Sequence, residues 1–142
     1  MNKNYQELVK DRIFFGGANG VDEMMQKESA DLIIDLRNEV PEEELITNKV
    51  HSPLVGNDNE EREKSVRKAI EHVVSAYEDN KKVYFHCGGG NSKAGTVAVG
   101  TLLALGKAKT IEEAEEIAKS IRPSANIKPD MKEALKNIFP NA

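Results

Sequence analysis

Apolar residues fall along this chain in short continuous runs that alternate with helical spacings, the pattern of strands interleaved with helices. Arg12-Ile13-Phe14-Phe15 reads as a short strand closed by a turn at Gly16-Gly17, and Val21 to Lys27 as a brief helix. Asp31-Leu32-Ile33-Ile34-Asp35-Leu36 is nearly all apolar, as expected for a strand covered on both faces. A weaker strand signal lies within Ile46 to Val55, before the polar loop Gly56-Asn57-Asp58-Asn59. Val66, Ile70, Val73, Val74 and Tyr77 then recur at helical spacing, predicting an amphipathic helix from about Glu60 to Tyr77.

Val83-Tyr84-Phe85 is the next strand, and a glycine-rich loop follows it directly. Gly95 to Leu105 predicts a buried helix ending at Gly106. Thr110-Ile111-Glu112-Glu113 has the form of a capping box, and Ile111, Ala114, Ile117, Ala118 and Ile121 make one apolar stripe. Pro123 ends that helix, because proline disfavours helical geometry in the residue before it. A last helix starts near Asp130, with Met131, Leu135, Ile138 and Phe139 facing inward. The order of elements predicts an α/β fold, a small and mostly parallel central sheet flanked by helices. No repeat or linker interrupts it, so residues 1–142 are expected to form a single domain.

The chain has 142 residues and a net charge of −4 with acids and bases interspersed, which argues against nucleic acid or an anionic membrane as partner. The apolar stretch Thr96–Leu105 is too short to span a bilayer, and residues 1–10 are too polar for a secretory signal. One cysteine permits no internal disulfide, which favours a reducing compartment and a cytoplasmic location. The histidines, His51 and His72 among them, show no metal-ligand spacing with that cysteine, and neither a metal nor another cofactor is expected.

The chemistry concentrates in His86-Cys87-Gly88-Gly89-Gly90-Asn91-Ser92-Lys93-Ala94-Gly95-Thr96. The cysteine stands where a strand passes through a glycine-rich turn into a helix. Backbone N–H groups converge at such a turn, and the helix dipole adds positive character. A thiolate is favoured in that surrounding and faces any anion the loop holds. The loop is not a dinucleotide fingerprint, since Lys93 falls where the third glycine belongs. Nor is it a nucleotide-triphosphate loop, since Ser92 precedes the lysine. A glycine-rich turn with an inert buried cysteine is the plain alternative.

His86-Cys87, Gly90, the cation at 93 and Gly95-Thr96 resemble the signature loop of the cysteine-based protein phosphatases, closest to the small bacterial dual-specificity-like group. Asp11 to Gly17 is similar to the opening strand of that group, Asp31 to Arg37 to its second strand, and Ile121-Arg122-Pro123 to the end of its post-loop helix. The resemblance implies that Cys87 attacks phosphorus to form a phosphocysteine, that His86 supports the thiolate, and that the amides of Gly88, Gly89, Gly90, Asn91, Ser92 and Lys93 cradle the phosphate. It also implies three departures. Lys93 stands in place of the family's arginine and offers charge without a bidentate fork. Ala94 stands in place of the hydroxyl that helps the thiolate leave. Gly56 stands where an aspartate acid is expected after Pro53, with Asp58 as the nearby candidate acid.

Together these imply impaired hydrolysis of phosphomonoesters by a dual-specificity-like protein, whose partner is a phosphorylated protein or a small phosphorylated metabolite. The alternative is a catalytically dead pseudophosphatase that binds phosphorylated ligands. Thiol chemistry on another oxyanion or on sulfur, as in arsenate reductases or rhodanese-like proteins, is a third reading. Arg122 has a structural role before Pro123 or reaches a second phosphate, and Asp35 and Arg37 fix the end of a strand.

Overall fold

The computed structural model describes residues 4–38 and 49–142. Among the described residues, five strands form one sheet in the order β1-β2-β5-β3-β4. They are β1 (Tyr5–Val9), β2 (Ile13–Gly17), β3 (Leu32–Asp35), β4 (Lys49–His51) and β5 (Val83–Cys87). β1 pairs with β2 antiparallel, and every other pairing is parallel. The long helices are α2 (Asn59–Glu78), α3 (Ser92–Ala104), α4 (Ile111–Ile121) and α5 (Pro129–Ile138). Between β2 and β3 the chain makes a tight turn at Ala18–Gly20, a single α-helical turn α1 (Val21–Glu23) and a wider turn over Met24–Glu28. The mostly parallel sheet and its flanking helices match the architecture expected from the sequence.

β5 lies between β2 and β3 and is buried along its whole length, which explains its unbroken apolar sequence up to His86. On one face Ile13, Phe15, Ile34, Val83 and Phe85 pack against Val66, Ile70, Val73, Val97 and Leu102 from α2 and α3. Phe15 and Phe85 stack there with ring centroids 5.7 Å apart. The other face is smaller: Tyr5, Phe14, Ile33 and Tyr84 lie beneath Met24 and Ala30. α3 is buried on every side from Ala94 to Leu102, and full burial of side chains such as Val97 and Leu102 is worth roughly 1.5–3 kcal/mol each. A Cβ at Gly100 would lie 2.2 Å from Ile70 Cδ1, so glycine there lets α3 press against α2.

Three features differ from the sequence reading. The polar opening segment contains the edge strand β1, in which Tyr5 and Leu8 face inward while the intervening residues meet solvent. α3 starts at Ser92 rather than Gly95, so the helix takes over within the glycine loop. The helix expected over Val21–Lys27 has only its first turn in α geometry. Of the weak strand expected within Ile46–Val55, Lys49–His51 is present as β4, and residues 46–48 lie outside the described residues.

Candidate active site

Cys87 ends the central strand and is 6% exposed. The peptide carbonyls that follow it are held one after another. Gly88 O accepts from Ala18 N at 3.1 Å, and Asn91 O accepts from Asn126 N at 3.1 Å. Arg122 donates from Nη2 to Gly89 O at 3.1 Å and from Nε to Gly90 O at 2.8 Å. In a trans peptide the next N–H points opposite to the carbonyl, and the chain has no cis bond among the described residues. The amides of residues 89–92 therefore turn to the side opposite these partners, the arrangement in which such turns hold an anion.

Gly90 is the glycine this loop cannot replace. Its φ is +76°, and a Cβ would lie 2.5 Å from the carbonyl carbon of Gly16 and 2.7 Å from Arg122 Nη2. At Gly88 a Cβ would meet nothing within 4 Å, and at Gly89 only the Asn91 side chain at 3.4 Å. Three glycines in a row thus carry one steric requirement. The N-terminus of α3 has no side-chain cap and no acidic residue in its first turn. Arg122, whose role the sequence left between structure and ligand, is turned to the loop's back and to Gln6 Oε1.

Beneath Cys87 lies a buried charged cluster. Asp35 and His86 are fully buried register neighbours on β3 and β5. Asp35 Oδ2 receives Arg37 Nη2 at 2.7 Å and Lys49 Nζ at 3.0 Å. Burial alone would raise the Asp35 pKa, but the Arg37 hydrogen bonds, with His86 and Lys49 adding to them, hold it well below the usual carboxylate range. His86 stacks on Tyr84, and its Nδ1 is 3.2 Å from Cys87 O. A carbonyl only accepts, so that nitrogen carries the proton. Nε2 has no hydrogen-bond partner among the described residues, and Asp35 Oδ2 is 3.8 Å away. Burial lowers the His86 pKa against the opposing pull of Asp35, which keeps the ring neutral near pH 7.

The remaining sequence candidates lie to one side of the loop. Lys93 Nζ donates to Asn38 Oδ1 at 3.0 Å and lines a cavity of about 500 Å³ together with Asn38, Asn57, Glu61, Arg62 and Asp130. Asp58 accepts from Glu61 N at 2.8 Å as the N-cap of α2. Gly56 has φ +153°, and a Cβ there would lie 2.4 Å from Arg62 N, so this backbone has no room for an aspartate at 56. His51 is exposed and 2.6 Å from Arg37 O. The roles of Asn38, Gln6 and Lys49 had no sequence signal, because each acts through a partner distant in the chain.

A parallel sheet that delivers a cysteine into a glycine-rich turn at a helix start defines the fold of the cysteine-based phosphatases. Residues 23–137 match the PTP-SAK family, described as Swiss Army Knife protein, DSP-PTPase phosphatase domain, and the chain belongs to that family. In structure it is similar to PTPMT1 in a complex with PI(5)P, at 18% identity and TM-score 0.79 over 97% of this chain and 96% of that one. It is also similar to Tk-PTP in its active form, at 21% identity and TM-score 0.75 over 100% of both chains. Human DUSP28 is similar at 17% identity and TM-score 0.78, over 96% of this chain and 93% of that one. Among curated proteins no sequence matches. Among the described residues no helix is long and apolar enough to cross a membrane.

Proposed function

We propose that this protein binds phosphomonoesters in the loop Cys87–Lys93 and hydrolyses them slowly through a phosphocysteine. The observation that carries this reading is the outward tethering of the carbonyls of residues 88–91 beside a cysteine at the uncapped start of α3. Cys87 Sγ attacks phosphorus as the bond to the leaving oxygen breaks, and that oxygen takes up a proton. Water then attacks phosphorus, releasing phosphate and restoring the thiolate. The loop amides hold the non-bridging oxygens throughout. His86 supports the nucleophile from below, through its bond to the Cys87 carbonyl.

Slow turnover follows from three positions. Lys93 replaces the family's arginine, and its ammonium is engaged by Asn38, so the planar grip on two oxygens is lost. Ala94 supplies no hydroxyl to the departing thiolate. Gly56 supplies no acid, and Asp58, the candidate for the leaving-group proton, has its carboxylate tied to the start of α2. Proton delivery from Asp58 requires the loop to release that cap. The same Gly56 geometry favours the second reading, a binding module that retains the cradle without turnover.

Assay of p-nitrophenyl phosphate with wild type, Cys87→Ser and Lys93→Arg separates the two. The proposal expects slow turnover, its loss in Cys87→Ser and a gain in Lys93→Arg. Wild-type turnover as fast as that of a phosphatase with an intact loop contradicts the impairment. Inactivity in all three proteins, with phosphate still raising the melting temperature, establishes the binding module.

A further inference from the structure

Resting on the phosphate-binding reading, we infer that the cavity beside Lys93 receives the alcohol part of the phosphomonoester, and that this alcohol is a small polyol or sugar rather than the ring of a phosphotyrosine. Lys93 joins the two sites: its backbone lies in the first turn of α3, and its side chain forms part of the cavity wall. At about 500 Å³ the space matches the size of a small-molecule site. Its polar walls come from Asn38 and Asn57, the carboxylates of Glu61 and Asp130, and the cations of Arg62 and Lys93. Among the described residues, the sizeable apolar contributions are Leu54, Val55 and Met131. Amides and carboxylates at this density match several hydroxyl groups, each of which both donates and accepts.

The distribution of aromatic residues excludes a slot for an aryl ring. The chain has three tyrosines, four phenylalanines and no tryptophan. Tyr5, Phe14, Phe15, Tyr84 and Phe85 are fully buried in the sheet. Tyr77 on α2 lies under the Arg12 guanidinium, 4.5 Å from its ring centroid, and Phe139 lines cavities at the far end of α5. That accounts for every aromatic residue, and none reaches the cavity. A phosphotyrosine ring placed there would find no stacking partner and would strip water from the exposed sides of the Arg62–Asp130 pair, Glu61 and Lys93 without replacing it. A polyol replaces those hydrogen bonds, and a site built to pair hydroxyl groups penalises a ligand that lacks them.

The test is calorimetric binding to the Cys87→Ser protein, which removes turnover. The probes are inorganic phosphate, myo-inositol 1-phosphate, glucose 6-phosphate and a phosphotyrosine peptide. The inference expects at least one of the two polyol esters to bind about tenfold or more tighter than both inorganic phosphate and the peptide. Asn57→Leu, at an exposed loop position, and separately Arg62→Leu are expected to remove that advantage while inorganic phosphate binds as before. Melting temperatures confirm that each variant is folded, and Asn57→Leu decides if Arg62→Leu is not. Equal affinity for all four probes, tightest binding of the peptide, or an advantage that survives Asn57→Leu overturns the cavity assignment while phosphate binding stands. Failure of every probe, inorganic phosphate included, overturns the phosphate-binding reading itself.

Discussion

The starts of α2 and α3 are both helix N-termini on loops that follow strands of one sheet, yet they are finished in opposite ways. At α2, Asp58 caps Glu61 N at 2.8 Å, and Glu60 and Glu61 place negative charge in the first turn. Its free amides and its dipole are answered by the chain itself. At α3 no side chain caps the helix and no acid enters the first turn. Glycines approach closely, and the loop's carbonyls are drawn to the back by Ala18, Arg122 and Asn126. α4 follows the α2 pattern, with Thr110 accepting from Glu113 N and Glu112 beside it. Positive charge at a helix start is commonly neutralised within the chain, whereas a start left uncapped behind a braced glycine turn is suited to an external anion.

The largest effect is expected at Gly90. Gly90→Ala puts a Cβ into the Gly16 backbone and holds alanine at φ +76°, so a stability loss of about 2–3 kcal/mol is expected, together with loss of the phosphate-induced thermal shift. Denaturant unfolding with and without phosphate measures both. Gly88→Ala, where a Cβ meets nothing within 4 Å, should retain the shift.

Arg122→Leu comes next. It frees the carbonyls of Gly89 and Gly90 and leaves the fold in place, at a cost of about 1–3 kcal/mol, and phosphate affinity should fall about tenfold by titration calorimetry. Asp58→Ala is the converse probe. Loss of the α2 cap should cost about 1 kcal/mol in thermal or urea unfolding, with phosphate affinity unchanged and p-nitrophenyl phosphate turnover little affected because that leaving group is good. A matching loss of phosphate affinity in Asp58→Ala would erase the distinction between the two helix starts.

The smallest effect is a slope in pH. The His86 pKa is lowered in the folded protein, chiefly by burial, so the unfolded chain binds more protons at this residue. The associated stability is fully present above the unfolded value of about 6.5 and is lost as pH falls below it toward the folded value. Melting temperature should therefore drop between pH 7 and 5, and His86→Gln should flatten that drop. Asp35 leaves this window clear, since its pKa is depressed on folding and its contribution is lost only as pH falls through the unfolded carboxylate value of about 3.9 and below.

Much of this contrast was legible along the chain, for reasons that particular residues make clear. The buried strands, the apolar stripes of α2 and α4 and the Thr110 cap are local patterns, and the cysteine-glycine loop is local too. β1 escaped because it buries only Tyr5 and Leu8, three residues apart and on opposite faces of the sheet with a register shift between Glu7 and Val9, so no period-two pattern marks it. Asp58 is a candidate acid by its place in the polar loop, and its bond to Glu61 N at the start of α2 becomes visible only in the structure. The bracing of the loop by Arg122 and the exclusion of a side chain at Gly56 depend on backbone brought together by the fold, which no spacing in the sequence reports. The buried Asp35 was legible as a strand end but not as the neighbour of the unpartnered His86 Nε2.

If the uncapped loop presents a phosphoryl group to Cys87, the phosphocysteine can be trapped there. Wild-type protein mixed with p-nitrophenyl phosphate, quenched in acid within the first turnover and digested, is read by mass spectrometry at the Cys87 peptide. A phosphoryl group is expected on that peptide in wild type, more of it when the second step is slow, and none in Cys87→Ser. Release of p-nitrophenol at the same rate from both proteins, with the Cys87 peptide unmodified, would contradict it.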